Sequence, residues 1–182
     1  MSVTYLSRIR SSGYSLIEVL VALVIISIGV IGVAAMQATA LANTHTSQTE
    51  SIAAIEARSL ADAMLANPAF WNGGPAPTSS VTITAGPTIT GSTALASATQ
   101  CNLGSNCSAS DLAAYDVNTW AKEYFKQVPN AVNAVVACNA TLPPVCTIQL
   151  SWTPKATVGT NAGTQSSSTT PATVTYTLIN QF

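Results

Sequence analysis

The chain has 182 residues, enough for one domain of ordinary size plus an anchoring element. Charged residues make up 7% of it and hydrophobic residues 48%, where an average soluble domain is roughly 25% charged, so part of the chain must sit in lipid or pack into something large. A net charge of −1, with no basic stripe beyond Arg8 and Arg10, excludes a nucleic-acid groove and any general attraction to acidic surfaces.

Residues 1–13 carry Arg8 and Arg10 and no acid. Tyr14 to Met36 then form an apolar stretch with one charge, Glu18, and from Val19 to Met36 the only polar side chain is Ser27. At about 1.5 Å per residue, such a helix nearly spans a bilayer core of about 30 Å. Positive charge ahead of it keeps that end cytoplasmic and sends the rest of the chain across the membrane. Three readings compete. A cleaved secretory signal needs a shorter apolar region, although Ala38-Thr39-Ala40 could serve as its cleavage site. A plain single-span anchor fits the length but leaves Glu18 unexplained, since a carboxylate at mid-membrane costs about 2.5–3.5 kcal/mol on insertion scales, and less near an end.

The third reading explains these features together. Gly13-Tyr14-Ser15-Leu16-Ile17-Glu18-Val19-Leu20-Val21-Ala22-Leu23 resembles the processing site of class III signal peptides, those of type IV prepilins. The resemblance implies that a membrane-embedded prepilin peptidase cuts between Gly13 and Tyr14 and N-methylates Tyr14. Tyr14 stands where the family most often has Phe. Cutting before the apolar run leaves the hydrophobic helix in the mature protein. Glu18 falls in the first helical turn, where the macrodipole favours an anion. The resemblance gives it an assembly role as partner to the α-ammonium of Tyr14 on a neighbouring subunit; the alternative is a carboxylate that snorkels to the lipid headgroups.

The helical pattern continues past Met36. Residues 37–67 lack Gly and Pro, place apolar side chains at Leu41, Ile52, Ile55, Leu60, Ala63 and Met64, and carry Glu56, Arg58 and Asp62 for the polar faces; Pro68 should end the helix. A helix from about Ser15 to Asn67 is on the order of 80 Å long, apolar all round in its first half and amphipathic in its second. Gly29 and Gly32 suit either close helix packing or ordinary membrane-helix use.

Residues 71–109 shift to Gly, Pro, Ser and Thr: a short alternating strand at Val81–Thr84, the rest surface loop, with a turn at Gly73-Gly74-Pro75. A second helix is predicted from about Asp111 to Val128. Ser108 and Asp111 set a capping box before it, Val117, Trp120, Ala121, Tyr124 and Val128 share one face, and Pro129 closes it. Val132, Ala134 and Val136, a turn at Leu142-Pro143-Pro144, and the alternation of Cys146, Ile148, Leu150 and Trp152 predict a hairpin. Residues 157–171 read as a Ser/Thr/Gly loop, and Thr173 to Phe182 as a last strand with Val174, Tyr176 and Leu178 on one side. The fold class expected is α+β: a long N-terminal α-helix, transmembrane in its first half, packed on a small antiparallel β-sheet, pilin-like.

Leu60-Ala61-Asp62-Ala63-Met64-Leu65-Ala66-Asn67-Pro68, and Asp111-Leu112-Ala113-Ala114-Tyr115-Asp116 followed by Trp120, resemble the PilV group of minor pilins, the type IV pilus modification proteins. That resemblance implies a leader at 1–13, a transmembrane or fibre-core helix at 14–36, and a periplasmic or extracellular pilin domain at 37–182. It implies residence in the bacterial inner membrane and then in a pilus fibre reaching the cell surface. Its partners are prepilin peptidase, other major and minor pilins, the inner-membrane assembly platform and the membrane itself. Twitching motility or adhesion is the associated function. A minor pseudopilin of a type II secretion system shares the helix and the processing, and a membrane-anchored enzyme or binding module is the rival of another class.

Four cysteines, Cys101, Cys107, Cys138 and Cys146, lie in the exported part, with five and seven residues between the members of each near pair. Neither gap is the typical zinc spacing of about two to four residues, and an oxidising compartment favours disulfides. Three connectivities are open; Cys101–Cys107 with Cys138–Cys146 closes the shortest loops. No metal, cofactor or catalytic residue is expected. His45 is the only histidine, on the long helix among Thr, Ser and Gln, and reads as solvated. Trp120, Tyr124 and Trp152 read as core. The triplets at Asn106 and Asn139 are assigned nothing.

Overall fold

The computed structural model describes residues 13–72, 77, 79–97, 101, 106–154 and 172–181. Arg8, Arg10, the Gly73-Gly74-Pro75 turn, Lys155, the 157–171 loop and Phe182 lie outside them. The elements in chain order are α1 (Leu16–Ala66), α2 (Pro68–Trp71), β1 (Val81–Thr84), β2 (Thr88–Thr90), α3 (Thr93–Ala96), α4 (Ala109–Gln127), β3 (Ala131–Cys138), β4 (Val145–Trp152) and β5 (Val174–Gln181). The class is α+β, with a long N-terminal helix and one antiparallel five-stranded sheet. Two compact units divide at Ala42/Asn43.

In the first unit α1 is apolar on every side, and its large side chains, from Leu16 to Leu41, are exposed. Water would not tolerate such a surface, whereas lipid or other apolar helices would. The one polar side chain between Val19 and Met36 is satisfied within the helix: Ser27 Oγ donates to the Leu23 carbonyl at 2.7 Å. With no water to bond, that back-bond is what a hydroxyl needs in lipid.

In the second unit the helix contacts the domain through a mixed row of small and large residues. Ala53, Ala57, Leu60, Ala61 and Met64 are buried, at the three- and four-residue spacing of one helix face. Ile55, one of the apolar positions of the pattern, falls on the opposite side of the helix from that face and is 67% exposed. α1 stops at Ala66 as expected, but Pro68 also begins a new helical turn, α2, since a ring that lacks N–H suits the first helical position. That turn buries Phe70 and Trp71 with their rings edge to face at 5.0 Å.

α4 starts on the predicted box. Ser108 Oγ accepts the Asp111 N–H at 3.2 Å, and Asp111 Oδ2 accepts both the Ser108 N–H at 3.2 Å and its hydroxyl at 2.7 Å. Ala113, Val117, Trp120, Ala121 and Tyr124 form its buried face. Two polar tips on that face tie it down. Trp120 Nε1–H donates to the Glu56 backbone carbonyl on α1 at 2.9 Å. Tyr124 Oη reaches the Ser151 and Asn133 carbonyls at 3.1 and 3.3 Å, joining α4 to β4 and β3. Asn67 Nδ2 adds a bond to the Ala109 carbonyl at 2.8 Å.

The sheet order is β2-β1-β3-β4-β5, antiparallel throughout. Alternation puts Val81, Ile83, Ala134, Val136, Ile148, Leu150 and Trp152 in the core. β2 and α3 lie in the stretch expected to be loop: Thr-rich runs of three and four residues are too short to show a period. Gly86 and Gly91 have positive φ, and a Cβ on Gly91 would meet the Ser80 carbonyl oxygen, so this tight connection needs glycine. A register shift between Ala131 and Asn133 leaves Val132 opposite no residue and 45% exposed, which removes it from the face shared by Ala134 and Val136.

Glu56 is 6% exposed where α1 meets α4. Burial, and then the nearby negative charge of Glu123, raise its carboxyl above the ordinary value of 4.5, against a smaller opposing effect of Trp120. The folded chain therefore holds this proton at pH values where the unfolded chain has lost it, and stability falls as pH rises from about 4.5 through the folded value. Glu56→Gln should remove that fall. In melting curves of the detergent-solubilised chain between about pH 4 and pH 8, the variant's advantage in Tm should grow with pH; parallel curves would contradict the assignment.

Candidate functional site

The candidate site is the start of α1. Gly13, Tyr14 and Ser15 have no regular structure, and the helix begins at Leu16. The Ser15 carbonyl accepts the first bonds, from the Glu18 N–H at 3.0 Å and the Val19 N–H at 3.3 Å. Glu18 therefore sits in the first turn, among backbone N–H groups that lack a helical partner and favour an anion. Gly13 and Tyr14 are exposed ahead of that turn. Ser15-Leu16-Ile17-Glu18 also has the S-x-x-E order of a capping box, a helix-start signal not used in reading the sequence. The structure places Gly13 and Tyr14 just ahead of α1 and Glu18 in its first turn.

Gly29 and Gly32 follow within the apolar run. A Cβ at either would meet nothing within 4 Å in this chain, so no intrachain contact demands glycine there. His45 is exposed, and its carbonyl accepts from Thr49 Oγ1 at 3.0 Å.

Cys138 and Cys146 face each other across the β3–β4 ladder and are bonded, with Cα atoms 4.0 Å apart; both are buried. Beyond them Asn139 closes the hairpin. Its N–H donates to the Val145 carbonyl at 2.9 Å, and its Oδ1 accepts the Val145 N–H at 2.8 Å. That is a use for Asn139 that sequence reading missed. Cys101 and Cys107 are bonded with Cα atoms 6.0 Å apart, directly before the Ser108 cap of α4. Among the described residues, no three His, Cys, Asp or Glu side chains gather as a metal site would require. Burial raises the Asp116 carboxyl and the Tyr124 phenol above their ordinary values, and the Ser151 carbonyl partly offsets the second shift.

A family model described as the prokaryotic N-terminal methylation motif matches residues 8–34. The match spans the basic leader end, the Gly13 junction, Glu18 and the apolar run. It marks the chain as a type IV pilin-like or pseudopilin precursor processed by prepilin peptidase, and α1 is long and apolar enough to anchor it in a membrane before incorporation. No curated protein and no solved structure matches the chain.

The two disulfides generate a chemical expectation. Non-reducing peptide mapping of the mature protein should recover Cys101 linked to Cys107 and Cys138 linked to Cys146. A peptide joining Cys107 to Cys138 would overturn the pairing. The Cys138→Ala, Cys146→Ala variant should lose about 2–4 kcal/mol of stability, read as a lower melting temperature.

Proposed function

We propose that the chain is a minor pilin of the PilV type: a structural subunit cut after Gly13, N-methylated on Tyr14, and drawn from the bacterial inner membrane into a type IV pilus, where it helps start assembly and supports motility or adhesion. It performs no reaction of its own. The observation that carries the reading is the order of parts at the N-terminus. The matched processing motif opens an apolar helix whose large side chains are exposed among the described residues, so cleavage there releases a subunit with an intact fibre-core segment. Residues 14–36 serve as that segment and 37–182 as the exported domain. The partners follow: prepilin peptidase, the assembly platform, and the major and minor pilins of the same fibre.

The type II secretion pseudopilins share the motif and the helix. What favours the pilus is the two PilV-like segments in the sequence together with the two cysteine pairs.

N-terminal mass analysis of protein from the native host should find a methylated Tyr14 as first residue. A start at Leu41, or an intact Met1, would sink the reading. Replacing Gly13 by a bulky residue should leave the long precursor in the membrane.

Glu18 tests the mechanism. If its carboxylate pairs with a neighbour's α-ammonium, Glu18→Ala should insert and be cleaved at least as well as wild type, since removing the charge lifts an insertion cost of up to about 2.5–3.5 kcal/mol. Incorporation should fall, because the neighbour's ammonium would be buried without a partner, a loss of about 3–5 kcal/mol. The measurement is the amount of each variant in membranes and in sheared fibres. Unchanged amounts in both would leave Glu18 as a snorkelling carboxylate.

A further inference from the structure

The sheet has two edges, and they are treated differently. β2 is three residues long, borders the turn with Gly86 and Pro87, and has α3 against it. Short length and a covering element are the ordinary ways to keep an edge from pairing. β5 has none of these protections. It runs eight residues in unbroken register with β4, contains no charge, proline or glycine, and among the described residues pairs with no strand on its other side. Ile179 on its outer face is 67% exposed. On its inner face Val174, Tyr176 and Leu178 are only half-buried, although the same face of β1 to β4 is closed. A groove of about 380 Å³ opens beside it, lined by Glu50, Ser51 and Ala54 of α1, Trp152 of β4, and Val174 and Tyr176 of β5.

A free row of backbone N–H and C=O groups takes another strand. A second copy is poorly placed to supply it. Antiparallel β5–β5 pairing needs a two-fold axis perpendicular to the sheet, which reverses every direction in the sheet plane. The 43–66 stretch of α1 packs on that sheet, so the two copies' stretches would run in opposite directions. Subunits of one polar fibre, as the reading above has them, keep their domains in one direction, which that pairing breaks. Head-to-tail pairing would need a second copy's β2, which offers only three residues and has α3 against it.

We propose that β5 receives, along its free edge, an extended strand from a different pilin-like subunit, making the sheet six-stranded. The inference rests on the fibre reading above for the identity of the donor, and on the edge alone for strand addition. The incoming strand is uncharged where it faces Thr175, Thr177 and Ile179, and apolar where its side chains meet the groove; Glu50 allows it one cation there.

The probe for strand addition is a fluorescein-labelled peptide with the sequence Val174–Gln181, which has the required alternation and no membrane constraint. Fluorescence anisotropy with the detergent-solubilised full chain should show saturable binding. The Thr177→Lys, Ile179→Lys variant should bind about tenfold more weakly or less, since lysines on an edge strand block pairing. Gln149→Lys, which adds charge to the same outer face on an inner strand, should bind as wild type does. No saturable binding, undiminished binding by the edge variant, or equal loss in Gln149→Lys would each overturn strand addition. The donor is identified in native fibres, with a photoreactive phenylalanine analogue in place of Thr177. The expected product joins this residue to an extended segment of another chain that itself begins with a methylated residue. A product joining two copies of this chain, or no product, would overturn the heterotypic donor. A first residue other than Tyr14 would sink the fibre reading while leaving the peptide result standing.

Discussion

One helix has to be compatible with two surroundings, and the rest of the structure follows from how α1 meets that demand. Its first part has no polar side chain to satisfy between Val19 and Met36 except Ser27, and the Leu23 carbonyl satisfies that one. Its second part meets a domain in water, and does so with Ala53, Ala57 and Ala61 on the same face as Leu60 and Met64. The rest of the large core side chains are supplied by Trp152, Trp71, Tyr124 and Phe70. A uniformly amphipathic helix would present a polar stripe to lipid, and a uniformly apolar one would have no fixed rotation against the sheet.

α4 supplies what the alanine row lacks, which is directionality. Apolar contact alone tolerates sliding, whereas Trp120 and Tyr124, stacked on each other at 5.3 Å, each end in a hydrogen bond to a different partner element. Tyr124 lands at the Asn133–Ser151 pair, next to the register shift that turns Val132 outward. A bulge exposes carbonyls to new partners, and the phenol takes advantage of that local opening.

Much of this was legible in the residues. The S-x-x-D box before α4, the two-residue alternation of β4 and β5, and the processing junction at Gly13 are local signals whose physics acts over a few residues, and the structure has α4, β4 and β5 where those signals put them. What escaped was nonlocal. Nothing near Thr88–Thr90 announces a strand until β1 is beside it, and Ile55 looks like a better anchor than Ala57 until the helix is rotated against the sheet. Glu56 reads as a surface acid because burial is decided by α4, some 60 residues away. At the N-terminal site, the sequence names the residues and the structure gives them a conformation, but their chemistry with a neighbour lies between molecules.

Among the described residues every charged side chain stands on a helix: Glu18, Glu50, Glu56, Arg58 and Asp62 on α1, and Asp111, Asp116, Lys122, Glu123 and Lys126 on α4. The charge of the described domain therefore stands on its helices, and the strands themselves carry none. Dissolved ions weaken an association only where there is charge to screen, over a Debye length of about 8 Å at physiological ionic strength. Contacts made through the strands are held by backbone dipoles, hydroxyls and apolar area. They should keep their strength from dilute to briny surroundings, while contacts made through α4 should not. An association made through uncharged strands is one that the surrounding salt does not govern.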